Sequence, residues 1–221
     1  MVYVHLLLVA LWLGAGVVGF TLSRHALKRA DQPSGELVTL LESLVIVGLV
    51  PRIAGALMVP VSLTLSEIGG WWDVPDPLVR ASWFVGAVWV WLIFDPHKPH
   101  APSRSARNRR WESWIRWIVC IFFVAIGSAS IAIGQPVGPP WLAVKTLLFG
   151  LLFASMILVD IGARPAVDLP DTPGAGQPEA TGTLLPQAID RVRIWVWCMY
   201  VLLLLAGWLG LAGPRGVSGF E

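Results

Sequence analysis

Charge is scarce in this sequence of 221 residues: Asp, Glu, Lys and Arg together make up only 14%. A soluble domain carries about 25% charged and about 45 to 50% apolar residues, whereas 56% of this chain is hydrophobic. The shortage excludes an ordinary water-exposed surface and points to lipid as the surrounding medium. A net charge of +2, dispersed along the chain, also gives no reason to expect a nucleic-acid partner. Cysteine is nearly absent. Cys120 and Cys198 both fall inside apolar runs and read as small core residues rather than as a disulfide or a metal pair. Nothing resembles a phosphate loop, a metalloprotease helix or a nucleophile elbow, and no repeat of fixed period stands out.

What the chain has in quantity is long apolar sequence. A transmembrane helix needs about 20 mainly apolar residues, and polar breaks divide the chain into about six such spans, near 2–23, 38–66, 79–95, 112–134, 141–162 and 191–212. The expected fold is all-α, a polytopic transmembrane helix bundle in one integral membrane domain over 1–221. A flexible cytoplasmic linker is expected at about 165–190, where "RPAVDLPDTPGAGQPEATG" is rich in Pro, Gly and acid. The first span has no basic residue before it and Arg24, Lys28 and Arg29 after it, so it reads as a retained helix rather than a cleaved signal. Eleven of the sixteen Lys and Arg residues lie at 24–37, 96–111 and 163–193. That bias marks the cytoplasmic side. Both termini are then expected outside, with a bacterial inner membrane as the expected location.

Tryptophan placement leads to the same expectation. Trp71, Trp72, Trp83, Trp141 and Trp208 fall near the outer interface, and Trp111, Trp114, Trp117, Trp195 and Trp197 near the inner one, as amphipathic rings do.

Polar residues at membrane depth are costly and usually functional or paired. Arg52 follows Pro51 in "IVGLVPRIAGALMVP" and shares a helical stripe with Gly48, Gly55 and Val59. Three readings stand: a structural ion pair with Glu42 or Asp160, snorkelling toward the headgroups, or a cation for a buried anionic group such as a cofactor carboxylate. Lys145, in "WLAVKTLLFGLLFASMILVD", shares a face with Phe149, Leu152 and Met156. It either snorkels to the outer headgroups or acts as a functional cation. His5 shares a stripe with Trp12, Gly16 and Gly19, so an imidazole near the outer surface stands above a large ring and a glycine-lined face. His97 and His100, in "PHKPH", read as a solvated turn, and Arg104, Arg107, Arg109 and Arg110 as a topological signal attracted to anionic lipid.

The pattern His, six residues, Trp, one residue, Gly in "HLLLVALWLG", followed by "SRHA", resembles the first helix of the membrane-bound, oxygen-independent protoporphyrinogen oxidases and the related copper-resistance D membrane proteins. The stretch "WLAVKTLLFGLL" resembles the helix of that group that carries a functional lysine. The resemblance covers two helices, and three if the proline-bearing second span is counted. It implies that His5 is a haem ligand or catalytic candidate and Lys145 its cationic partner. In the oxidases the lysine helix usually carries a histidine further along; here the matching place is near Met156, which would sit deep while His5 sits outside.

The expectation is an integral membrane redox or electron-transfer protein that binds haem b, an oxidoreductase with a membrane redox partner. His5 is the candidate metal ligand, with Trp12, Gly16, Gly19, Arg52 and Met156 as cofactor-binding candidates and Lys145 and Arg52 as catalytic ones. Copper handling is an alternative, with Met1 and His5 as a thin outer site and no regular Met or Cys ladder behind it. A cofactor-free subunit or scaffold of a larger membrane complex and a small-solute transporter complete the set.

Overall fold

In water-free surroundings each backbone amide must be satisfied within its own segment, which leaves the helix as the form for an isolated apolar run. The computed structural model describes residues 1–28, 35–94, 102–167 and 178–217 and places them in six helices: α1 (Val2–Lys28), α2 (Gly35–Ile68), α3 (Asp76–Phe94), α4 (Pro102–Ile133), α5 (Pro140–Val167) and α6 (Pro178–Val217). All six contain a stretch long and apolar enough to cross a membrane. The protein is thus an all-α bundle of integral membrane character, with no strand among the described residues.

Helix ends follow local chemistry. Gly134, at φ 73°, stops α4 one residue after Ile133, and its amide donates to the Ser130 carbonyl. A left-handed residue of this kind is cheapest as glycine. Proline opens α5 and α6 at the first helical position, where its missing N–H costs nothing. α6 therefore begins at Pro178, so part of the segment expected to be a linker is helical. Residues 168–177 of that segment, and the loop bearing His97 and His100, lie outside the described residues.

Consecutive helices run antiparallel and pack side by side, and α6 returns to α1 to close the ring. The register is readable from individual contacts: His5, Trp12 and Gly19 of α1 face Ser62, Gly55 and Val47 of α2. Gly16 and Phe20 face Tyr200 and Trp197 of α6. We call the end holding the start of α1 and the close of α6 proximal, and the opposite end distal.

Lipid gives no hydrophobic reward for helix association, so close packing of small residues must hold the bundle together. Between α4 and α5 two glycines provide this reciprocally. A Cβ on Gly127 would stand 2.5 Å from the Leu147 amide nitrogen, and one on Gly150 2.7 Å from that of Val124. At the centre Phe153 of α5 meets Trp12 edge-on at 6.2 Å and Trp89 of α3 at 5.8 Å between ring centroids. All three side chains are fully buried. Cys120 is buried, as expected, but Cys198 is exposed on the outside of α6; its apolar run is the lipid face of a helix. Trp72 likewise departs from the expected belt and sits in the core.

Candidate functional site

Two polar groupings occupy opposite ends of the bundle. The distal one centres on Asp160 of α5. Arg52 of α2 donates through Nη2 to Asp160 Oδ1 at 3.1 Å, and Arg116 of α4 donates through Nη1 to Oδ2 of the same carboxylate. The second Arg116 nitrogen, Nη2, meets Glu112 Oε1 at 2.5 Å. Two guanidinium groups and two carboxylates thus tie α2, α4 and α5 together with balanced charge. Arg116 and Glu112 are almost wholly buried, at 5% and 2% side-chain exposure, whereas Arg52 keeps 35%.

Of the expectations for Arg52, the pair with Asp160 is what the structure contains. The Glu42 side chain lies outside the described ones. Sequence reading misses Glu112 and Arg116. Their signal is present: Asn108, Glu112 and Arg116 recur every four residues and are all buried, a polar stripe on one helical face. It is masked by the neighbouring basic run, whose arginines read as topological.

The proximal grouping brings together the histidine and the lysine singled out by the sequence. His5 of α1 and Lys145 of α5 are the single histidine and single lysine inside the six spans. They are separated by 140 positions in the chain, yet the Lys145 ammonium lies within electrostatic range of the imidazole. His5 Nδ1 is 3.4 Å from the Ser62 hydroxyl of α2. Ser62, one of the hydroxyls on the outer turn of α2, carries no mark of this role in the sequence. Both charged-type side chains are half-buried, and among the described residues no carboxylate pairs with either.

The remaining candidates take other positions. Trp12 is not a wall of an open groove: its ring fills the core between Gly55, where a Cβ would come within 3.2 Å, and Phe153. Its indole Nε1 has no hydrogen-bond partner. The face of Gly16 is covered by Tyr200, whose hydroxyl oxygen would be 2.1 Å from a Cβ there, and Gly19 faces Val47. Gly16 lets α1 and α6 approach, Gly19 stands at ordinary contact distance from Val47, and Trp12 fills the core. Met156 is a core residue, eleven positions beyond Lys145 on α5 and therefore about 16 Å further along the axis. Arg52 is at the distal end. Neither is brought to His5.

The donor set decides what the proximal grouping can hold. An imidazole whose Nδ1 is oriented by a hydroxyl keeps Nε2 for a ligand bond, the usual arrangement of a ligating histidine. An ammonium without a carboxylate partner is suited to an anionic group. No cluster of three or more His, Cys, Asp or Glu side chains suited to a metal ion occurs among the described residues. The site therefore offers one imidazole nitrogen and one cation. Comparison with protein-family models, curated proteins and solved structures gives no match for this chain.

Proposed function

We propose that the protein is an integral membrane redox or electron-transfer protein of a bacterial inner membrane, carrying haem b at the proximal end of the bundle, the end expected to face outward. The observation that supports this reading is the convergence of His5 and Lys145 from α1 and α5. Random placement of one histidine and one lysine in six spans gives no reason for them to meet. A cation left without a carboxylate at membrane depth also calls for an anionic complement.

In this reading His5 would hold the haem iron, Ser62 would orient the imidazole through Nδ1, and Lys145 would hold a propionate. Bound haem b supplies reversible one-electron transfer, tuned by its ligand and nearby charge. Trp12 and Tyr200 fill the bundle beneath the site, packed against Gly55 and Gly16. Arg52 acts in the distal ion network.

Oxidised and reduced visible spectra of the protein purified in mild detergent, with metal analysis, test the proposal. A Soret band that moves on reduction, about one iron per chain, and loss of both in His5→Ala with membrane insertion intact are expected. Protein that is colourless and iron-free even after haem is supplied during expression and purification overturns it, and bound copper in its place returns the copper reading.

A further inference from the structure

A lysine near the end of a membrane helix normally extends its ammonium toward the headgroups. Lys145 does not. The contact of Gly162 with Val192 fixes the register of α5 against α6. Seventeen residues back along α5 and seventeen forward along α6 make Lys145 level with Leu209. Its Nζ lies against the next residue, Gly210, so the side chain runs sideways onto α6. One turn further out, Trp141 of α5 occupies the corresponding place on Gly213. The ammonium is therefore about 4.5 Å deeper than that ring, given the helix rise.

We infer that Gly210 is the positioning residue of the proximal site, holding the Lys145 ammonium at depth by leaving its own Cβ volume for it. A Cβ at Gly210 would stand 2.5 Å from Nζ and 3.6 Å from Cε. No such carbon and nitrogen can coexist at that distance. The atom that must yield is the far end of a flexible side chain, so alanine displaces the ammonium and leaves the helices in contact. Gly127 and Gly150 are different in kind, because backbone atoms, which cannot swing away, stand within 2.7 Å of a Cβ there. Gly207, one turn deeper on α6, has nothing within 4 Å of a Cβ and serves as the control.

The role of the held ammonium rests on the haem reading, but the position itself is tested without it. Detergent-solubilised wild type, Gly210→Ala and Gly207→Ala are treated with an amine-reactive ester, and modification of Lys145 is followed by peptide mass spectrometry. Expected are slow labelling in wild type and Gly207→Ala, and labelling several-fold faster in Gly210→Ala at an unchanged melting temperature. Equal rates in Gly210→Ala and wild type overturn the inference.

A loss of fold in Gly210→Ala is resolved by making it in a Lys145→Ala background. Removal of the lysine abolishes the clash, so alanine at 210 is then neutral if the inference holds; a persisting loss shows that the glycine serves helix packing and overturns it. If the purified protein carries haem, Gly210→Ala also lowers its midpoint potential, since a nearby positive charge favours the reduced form. Absence of haem defeats the functional reading and leaves the labelling result to decide the position of Lys145.

Discussion

At the distal end two arginines meet two carboxylates from three helices, and each charge has its opposite within hydrogen-bond distance. At the proximal end a histidine faces a serine hydroxyl and a lysine stands within electrostatic range of the imidazole, and no described carboxylate pairs with either. Both groupings lie inside a bundle whose other residues are overwhelmingly apolar. The difference separates a balanced network, complete within the protein, from an unbalanced one that calls for something more. A buried ion pair is weak evidence for net stability, yet removing one partner is strongly destabilising because the other remains as an uncompensated charge. A cation with no partner incurs that cost in the resting protein.

Substitutions at five positions break or sharpen this contrast. Arg116→Leu has the largest expected effect, because it strands Glu112 and half of Asp160 in the interior; a loss of about 3–5 kcal/mol is expected in thermal unfolding in detergent. An unchanged melting temperature there would show that the distal network does not clamp the bundle. Gly127→Ala follows, at about 1–3 kcal/mol, since the new methyl meets the Leu147 backbone and must push α4 from α5; cross-linking between cysteines placed on these helices would report the separation. Arg52→Gln costs less, about 1 kcal/mol, because Arg52 is partly exposed and Arg116 still answers Asp160. A loss as large as that of Arg116→Leu would move the weight of the network to α2.

His5→Ala is expected to leave stability nearly unchanged, within about 0.5 kcal/mol, while abolishing the haem spectrum. Lys145→Ala should weaken haem retention more than Lys145→Arg, as read from the Soret absorbance per protein after gel filtration. Equal retention in both would assign the lysine to lipid contact alone.

Much of the molecule is legible in its sequence. The six spans, their approximate limits and the position of His5, Lys145 and Arg52 inside them follow from scarcity: a polar residue in a long apolar run declares itself. The sequence also offers Asp160 as a partner for Arg52. What it does not reveal is use. Trp12, Gly16 and Gly19 form one stripe on α1, and the stripe reads equally well as a cofactor bed or as a packing surface. Which of these it is depends on Phe153, Gly55 and Tyr200, which arrive from three other helices. Arg116 escapes notice for the converse reason, since a basic residue close to a basic run carries no mark of burial.

Composition and hydropathy alone determine that the chain is a helical membrane bundle, because lipid leaves an isolated apolar segment no other way to satisfy its amides. They determine equally which few polar side chains lie at depth. Only tertiary structure decides which of these meet. The pairing of Arg52 with Asp160, the joining of Arg116 to both Asp160 and Glu112, the approach of Lys145 to His5 and its place on Gly210 depend on helix order, rotation and register. Those are set by the close approach of small residues and large rings between helices, a matter of shape that no single span contains.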